Sequence, residues 1–201
     1  FAFIGNHSHT HDYLIEFTYN NFMKDIDKSI KIFNKELGYN PIYFSYPFGE
    51  YSLEHQEFIN KKFEFAFGQH SGVIDLNKNR YELPRFPINE KYGDLKRFKN
   101  VINYLPLQYK KATPKDKLIT DGNNPPQLTV EFFHNQKNLK NITCYSNEGS
   151  QWRKTEINLE NNILKANFAE KFNFRRGRVN CSLNDKEGWR FFGIQFSKKS
   201  N

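Results

Sequence analysis

Apolar residues near the start of the chain recur at helical spacing. Between residues 19 and 38 they lie three or four positions apart, which predicts a surface helix with one buried face, and Gly38 stands where that helix would end. The apolar positions are Phe22, Ile26, Ile30, Phe33 and Leu37. Two further helices are predicted at residues 52–62 and 92–105. Each begins with a side chain that can cap its first turn, Ser52 and Asp94 respectively.

Continuous apolar runs alternate with these helices. They are "FAFIG" at residues 1–5, "PIYFSYP" at 41–47 and "FEFAFGQ" at 63–69, and each has the length of a buried strand. Strand and helix therefore alternate through the first half of the chain. This order predicts an α/β fold with parallel strands.

The second half has a different pattern. Residues 109–126 are charged and then rich in Gly, Asn and Pro, which predicts a linker. Short β-rich runs follow, at residues 127–133, 141–147, 151–158, 163–169, 177–184 and 189–197. Runs of this length between turn residues are typical of a small antiparallel β-sandwich. We therefore expect two domains, an α/β domain at 1–108 and a β-sandwich at 109–201.

Composition indicates a folded, sheet-rich protein. Aromatic residues make up 17% of the chain, with 21 Phe and 11 Tyr. No apolar run reaches the roughly 18 residues that span a bilayer and no signal peptide is recognisable, so no transmembrane segment is expected. The first residue is Phe and already belongs to a predicted buried strand. We therefore expect the chain to be the remainder of a longer precursor.

Charge distinguishes the two halves. Residues 1–108 carry as many acidic as basic side chains, so the net charge of +8 belongs to residues 109–201. Such an excess indicates a solvated basic face or an acidic partner. Nucleic acid is disfavoured, because the basic residues are scattered apart from "RRGR" at 175–178 and no nucleic-acid motif is present. Cys144 and Cys181 lie in two of the β-rich runs, either as two buried thiols or as a disulfide between strands.

The stretch "NHSHTH" at residues 6–11 contains the first candidate chemistry. His7 and His11 are four residues apart, so on a helical turn they can converge on one metal ion, whereas His9 would point elsewhere. Neutral imidazole suits zinc and its first-row neighbours. A solvated loop with three polar histidines is the alternative.

The stretch "FSYPFG" at residues 44–49 contains the second. A predicted strand ends there in a Pro-Phe-Gly turn that leads into a helix, and α/β folds place their active sites at such strand ends. Backbone N–H groups of such a turn can stabilise an oxyanion. Taken alone, the stretch is also an ordinary tight turn.

Together, the two stretches resemble the polysaccharide deacetylases of carbohydrate esterase family four, the nodulation-protein type. "NHSHTH" is similar to that family's His-Ser/Thr-x-x-His motif. "FSYPFG" is similar to its Arg-x-Pro-Tyr/Phe motif, and closer to the Tyr-Pro-Phe/Tyr-Gly form in deacetylases of poly-β-1,6-N-acetylglucosamine. "ELPRFPIN" at 82–89 also resembles this branch. The resemblance covers about residues 1–105 and implies a partial (β/α)-barrel deacetylase domain.

The resemblance assigns roles to individual residues. His7 and His11 would hold a divalent metal, with zinc the expected ion, and Ser8 would brace their loop by hydrogen bonding. The backbone N–H of Phe48 would stabilise the oxyanion. The supporting residues of that turn are Tyr46, Pro47 and Gly49. Arg85, in the third stretch, is a further candidate without an assigned role.

The implied reaction is metal-dependent hydrolysis of an acetamide in an N-acetylglucosamine-containing polysaccharide, which gives acetate and an amine. Because such glycans lie outside the cytoplasm, the resemblance also implies a periplasmic, cell-envelope or secreted protein. In the family, a metal-binding Asp and a catalytic-base Asp lie upstream of the His motif, and this chain starts after that point. Little or no activity is therefore expected from this chain.

Other residues do not replace the missing groups. Asp12 is too close to His11, and Ser45 stands where many family members have an Arg. No Leu-x-His motif supplies a general acid. We expect His70 to lie in a surface loop and His55 on a solvated helix face.

The second half also resembles the small β-sandwich appended to some bacterial polysaccharide deacetylases. Aromatic faces can stack on sugar rings, although core packing is the default expectation for such side chains. The aromatic residues concerned are Trp152, Trp189, Phe191 and Phe192. The alternative to an enzyme is therefore a non-catalytic glycan-binding or interaction protein that acts through the basic sandwich.

Overall fold

The computed structural model describes residues 3–200. Its helices are α1 (Tyr19–Leu37), α2 (Leu53–Asn60) and α3 (Leu95–Val101). Its strands are β1 (Tyr43–Ser45), β2 (Phe65–Phe67), β3 (Leu105–Pro106), β4 (Tyr109–Thr113), β5 (Leu118–Ile119), β6 (Thr129–Phe132), β7 (Thr143–Ser146), β8 (Arg153–Lys154), β9 (Glu156–Glu160), β10 (Ile163–Asn167), β11 (Arg176–Asp185) and β12 (Gly188–Lys198). No helix within this described part is long and apolar enough to cross a membrane.

The three predicted helices are present, and capping side chains explain where they begin. The hydroxyl of Thr18 caps α1, which ends at Gly38 in the left-handed conformation that glycine adopts without strain. Ser52 and Asp94 cap α2 and α3, as predicted. α3 is shorter than expected, because the chain after residue 104 enters β3.

The first half contains a small parallel sheet covered by helices. β1 and β2 pair in parallel, as predicted. Single parallel bridges extend the arrangement on both sides, from Asn6 to Phe44 and from Phe67 to Leu83. α1, α2 and this sheet enclose a core formed by Leu14, Phe22, Ile26, Phe44, Tyr46, Tyr51, Phe58, Ile59, Phe63 and Ala66. The sheet is open within residues 3–200, so the barrel stays a prediction.

The predicted strand at residues 1–5 is wrong over its described part. Residues 3–5 are not in a strand, and the side chains of Phe3 and Ile4 are 81% and 53% exposed. The rest of that prediction, Phe1 and Ala2, lies outside the described residues. Phe3 meets only the edge of the Tyr43 ring, at 6.1 Å between ring centroids, within the part of the chain described. An apolar run forms a buried strand only where other residues cover it. Here the pairing with β1 begins after the run, at Asn6.

The second half is a β-sandwich of two sheets. One sheet has the order β4-β6-β10-β9, and the other has the order β3-β12-β11-β7-β8 with β5 also paired to β12. All pairings are antiparallel except those of β3 and β5 with β12. The core between the sheets contains Leu128, Val130, Phe132, Leu164, Phe172, Val179, Leu183, Phe192, Ile194 and Phe196, among others. Each predicted β-rich run supplies at least one strand.

The prediction of a linker at 109–126 is wrong. β4 is an edge strand of the four-stranded sheet, and β5 adds to the other sheet. A register shift between Tyr109 and Lys111 interrupts the alternation of apolar and polar residues, which hid the strand in the sequence. The division between 1–108 and 109–201 stays a prediction.

Cys144 and Cys181 form a disulfide, which resolves the alternative left open by the sequence. They face each other across the neighbouring strands β7 and β11. The bond therefore links two strands within one sheet.

Candidate functional site

The imidazoles of His7 and His11 lie together on the loop that precedes α1. Their ring centroids are 4.7 Å apart, at an angle of 69°. Nδ1 of His7 lies 2.7 Å from the carbonyl oxygen of Ser45. Because a carbonyl only accepts, Nδ1 carries the proton and Nε2 keeps a lone pair available to a metal ion.

The loop brings the two histidines together without a helical turn, contrary to the assumption behind the spacing argument. Ser8 and His11 both adopt left-handed backbone conformations, with φ of 69° and 57°. The hydroxyl of Ser8 accepts a hydrogen bond from the N–H of His11 at 3.0 Å. The side-chain oxygen of Asn6 accepts from the N–H of Ser8, also at 3.0 Å. These bonds fix the loop in place of helical hydrogen bonds.

Asp25 of α1 holds the middle of the same loop, and the sequence analysis missed it. Its buried carboxylate accepts from the N–H of His9 at 2.9 Å and from the N–H of Thr10 at 3.1 Å. The available signal was a carboxylate on the apolar face of α1, one position before Ile26. A buried acid on such a face requires partners, and here backbone donors supply them.

The Pro-Phe-Gly turn (Pro47–Gly49) is a single 3₁₀ turn between β1 and α2. Phe48 lies in the left-handed region, with φ 57° and ψ 3°. Its N–H donates to no acceptor within residues 3–200. Gly49 also has a positive φ, 69°, and a Cβ there would lie 2.5 Å from the backbone nitrogen of Gln69. The turn therefore presents an N–H that has no acceptor in the described part of the chain, and its third position admits only glycine.

The histidine loop and the turn adjoin each other. The ring of Phe48 meets that of His11 edge-on, with centroids 5.0 Å apart. A cavity of about 280 Å³ opens beside His7 and the end of β1. Its lining residues are Gly5, Asn6, His7, Ser45, Tyr46, Gly68, Gln69 and Arg85. The structure thus places Arg85, which had no assigned role, along the same cavity as His7.

Tyr46 connects this cavity to the core. Its side chain is fully buried, and its hydroxyl has no hydrogen-bond partner in the described part of the chain. Burial raises the pKa of this hydroxyl well above the usual value. Tyr46 therefore keeps a neutral hydroxyl within the core.

The donor set for a metal ion is incomplete within residues 3–200. No group of three or more His, Cys, Asp and Glu side chains is placed there to hold an ion. Asp12 is exposed and does not join the two histidines, and the carboxylate of Asp25 is occupied by backbone N–H groups. The two imidazoles suit a first-row divalent ion, but the described residues add no carboxylate to them.

The expectations for His55 and His70 were wrong, because both side chains are buried. His55 stacks on Phe22 of α1, with ring centroids 4.1 Å apart, and burial lowers its pKa to about 4. Burial lowers the pKa of His70 to about 3. The polar helix face around His55 and the Gly-rich loop around His70 suggested exposed side chains. Instead, α1 covers His55 and the sandwich covers His70.

The "RRGR" run is not a free basic patch. Arg175 pairs with Glu16 at 2.6 Å and with Glu50 at 3.0 Å, and Arg176 lies 3.6 Å from the other oxygen of Glu50. Glu50 is buried, and burial raises its pKa although Arg175 opposes this shift. The run therefore joins the sandwich to the first half of the chain.

The four aromatic side chains of the sandwich differ in burial. Phe192 belongs to the core. Phe191 is half-buried and packs against Tyr104, with centroids 4.3 Å apart. Trp152 and Trp189 are each 47% exposed, contrary to the default expectation of core packing.

The geometry places a two-histidine loop beside the Pro-Phe-Gly turn, at the carboxyl end of the parallel strand β1. Residues 3–64 match the family model described as polysaccharide deacetylase. The matched region includes α1, β1, α2, the histidine loop and the Pro-Phe-Gly turn. The match supports the polysaccharide deacetylase superfamily and, at the level of the family, carbohydrate de-N-acetylation. No curated protein and no solved structure matches the chain.

Proposed function

We propose that the chain serves metal-dependent de-N-acetylation of an N-acetylglucosamine-containing polysaccharide, in the poly-N-acetylglucosamine branch of the nodulation-type deacetylases. The observation that carries the proposal is the contact between the His7–His11 pair and the turn that presents the free N–H of Phe48. His7 and His11 would hold a divalent ion, with zinc the first candidate. When bound, such an ion polarises an acetamide carbonyl and lowers the pKa of water.

The turn supplies the second part of the chemistry. The N–H of Phe48 donates to the acetamide oxygen, and this hydrogen bond strengthens as negative charge develops there. Because the bond is stronger in the transition state than in the substrate, it lowers the barrier to hydrolysis. Arg85 brings a guanidinium to the cavity beside His7, where it can bind the released acetate or a sugar hydroxyl.

The carboxylates of the reaction are proposed to come from elsewhere. Residues 3–200 place no acidic side chain with His7 and His11. We therefore propose that the acidic metal ligand and the catalytic base lie beyond these residues, in a (β/α)-barrel that the open sheet would help to form. The chain alone is then expected to have little or no deacetylase activity.

The proposed location is extracytoplasmic. The Cys144–Cys181 disulfide supports this proposal, because disulfides persist in oxidising compartments and are rare in the cytosol. A polysaccharide of the cell envelope or matrix would be accessible there.

Metal binding tests the proposed roles of the histidines directly. Titration of the chain with Zn²⁺, followed by calorimetry, should show one site, weakened at least roughly tenfold by His7→Ala or His11→Ala. His9→Ala is the matched control, because His9 lies between the two and its side chain is exposed. Equal affinity in all four proteins would contradict the proposal.

Deacetylase activity tests the reaction itself. Chitooligosaccharides and poly-N-acetylglucosamine oligomers are the substrates, and release of free amine and acetate is the measurement. A longer form of the protein that supplies the acidic groups should release acetate, and His11→Ala should abolish that release. Full activity of the chain alone would contradict the proposal that its site is incomplete.

A second candidate function is glycan binding by the sandwich without catalysis. The half-exposed side chains of Trp152 and Trp189 favour it, since aromatic faces offer large contact area at low conformational cost. Binding of N-acetylglucosamine oligomers that Trp189→Ala removes and His7→Ala leaves unchanged would support this function. Binding that depends on His7 would support the enzyme instead.

A further inference from the structure

Gln195 of β12 reaches from the sandwich to the Pro-Phe-Gly turn. Its side chain is 1% exposed, and its Nε2 lies 2.8 Å from the carbonyl oxygen of Gly49 and 3.2 Å from that of Phe48. Its Oε1 accepts a hydrogen bond from Nε of Arg178 at 2.9 Å. Because an arginine only donates, the amide oxygen must face Arg178 and the amide nitrogen must face the turn. Both ends of the side chain are therefore fixed.

The backbone of β12 approaches the first half equally closely. Gly193 precedes Gln195 by two positions, so both lie on the same face of the strand. A Cβ at Gly193 would lie 1.9 Å from the carbonyl oxygen of Ser71. Only glycine permits this approach, which brings Gln195 within reach of the turn.

A second connection from the sandwich runs through aromatic rings. The guanidinium of Arg175 lies 3.9 Å from the ring centroid of Tyr13, and Tyr13 stacks on Phe48 with centroids 4.3 Å apart. Phe48 in turn contacts His11. The buried Glu50 and the partly exposed Glu16 hold Arg175 in place. A series of ring contacts thus connects Phe48 and His11, which carry the two candidate chemical groups, to Arg175 of the sandwich.

The backbone of Phe48 needs such support. A left-handed conformation is uncommon for a bulky residue and persists only where the surroundings hold it. The hydrogen bonds from Gln195 hold the carbonyls of Phe48 and Gly49. The N–H of Phe48 belongs to the preceding peptide group, so Gln195 acts on it through the backbone dihedrals of Phe48. Without Gln195, the hydrogen bonds that remain to the turn among residues 3–200 are its own short-range ones, from the N–H of Gly49 and the N–H of Glu50.

We propose that the β-sandwich is a positioning element of the candidate active site, and that Gln195 holds the Pro-Phe-Gly turn so that Phe48 keeps its left-handed backbone, and its N–H a fixed direction, next to His11. The use of that N–H in catalysis rests on the proposed function, whereas the support of the turn by Gln195 does not. The sandwich is then part of the hydrolase site and not only an appended binding module.

Hydrogen exchange of the turn tests the support directly. In Gln195→Met the two bonds to the turn are lost, and the amides of Gly49 and Glu50 should exchange roughly tenfold faster or more. Gln195→Glu is the second variant, because it keeps an acceptor for Arg178 but has no N–H for the turn. It should accelerate exchange at the same two amides while preserving the contact to Arg178.

Ser146→Ala is the matched control. Ser146 is a fully buried polar residue of the same sheet, and its hydroxyl bonds to Glu148 and Thr155 within the sandwich. Its loss should lower the melting temperature without accelerating exchange at Gly49. Equal exchange at Gly49 and Glu50 in the wild type and both Gln195 variants would overturn the proposal. Acceleration by Ser146→Ala as large as by Gln195→Met would overturn it as well, since the effect would then be general loss of stability.

Kinetics separate this proposal from the function on which its catalytic part rests. In a form of the protein that deacetylates N-acetylglucosamine oligomers, Gln195→Glu should lower kcat at least roughly tenfold and change KM little, because the N–H acts mainly in the transition state. An unchanged kcat with accelerated exchange would overturn the catalytic part. A wild-type protein without activity would count against the proposed function. In that case hydrogen exchange alone would test whether Gln195 supports the turn.

Discussion

Lowering the pH from 7.5 to 5 should destabilise the folded chain through two histidines, His55 and His70. Burial lowers their pKa values to about 4 and about 3, whereas the same imidazoles in an unfolded chain have a pKa of 6.5. A lowered pKa in the folded state means that the unfolded state binds the proton more tightly. The stability that depends on neutral histidine is therefore fully present above pH 6.5 and is lost as the pH falls.

The expected loss can be worked out from these values. At pH 5 an unfolded histidine is almost fully protonated, while His55 and His70 are still mostly neutral in the folded chain. Each therefore costs about 2 kcal/mol between pH 7.5 and pH 5, because one pKa unit corresponds to about 1.4 kcal/mol. The pair together costs about 4 kcal/mol, a large part of the roughly 5–15 kcal/mol by which typical domains are stable.

Urea unfolding at the two pH values measures this loss. The variants are His55→Gln, His70→Gln and their combination, since glutamine stays neutral and at position 55 can still complete the capping box of α2. His9→Gln is the control, because the side chain of His9 is exposed. Carboxylates titrate equally in all five proteins, so they cancel in the comparison. A combined variant that loses as much free energy of unfolding as the wild type between pH 7.5 and pH 5 would refute the reasoning.

Two further predictions concern the disulfide and the buried ion pair. Cys144→Ser should lower the free energy of unfolding by about 4 kcal/mol, because the bond closes a loop with a sequence separation of 37, and reductant should bring the wild type to the level of the variant. A wild type that reductant does not affect would contradict this. Arg175→Met should destabilise the chain by about 2 kcal/mol at pH 8, because it removes the closer of the two arginines that pair with the buried carboxylate of Glu50 and leaves Arg176 at 3.6 Å. The loss of stability should shrink as the pH falls, because the pKa of Glu50 is raised and protonation removes its charge. Glu50→Gln in the same chain should restore most of the stability. An equal loss at pH 8 and pH 5 would count against the explanation.

Local signals in the sequence predicted the elements that depend on local interactions. Gly38 at the end of α1 and Ser52 at the start of α2 act within a few residues, so these helix ends follow from short stretches of sequence. The alternation along β11 likewise indicates a strand with one buried face. The linker prediction failed where a register shift in β4 interrupts this alternation.

The parts of the site that the sequence did not reveal depend on contacts between distant residues. His7 is oriented by a carbonyl 38 positions away, and Phe48 by a side chain 147 positions away. Nothing near Gln195 marks it as a partner of the turn, because its chemistry is ordinary and only the close approach at Gly193 gives it a role. Motifs thus indicated candidate groups for the chemistry, but not the groups that orient them.

The same long-range contacts change the interpretation of the basic second half. Arg175 and Arg176 are paired with Glu50, and Arg178 is engaged with Gln195, so the densest basic run of the sequence is used to join the two halves. Charge at these positions therefore gives little support to a polyanionic partner. A chain without residues 109–201 would lose this ion pair and the support of the Pro-Phe-Gly turn together. Loss of activity in such a truncated protein would follow from the disturbed turn alone, so it would not show that the sandwich binds the polysaccharide.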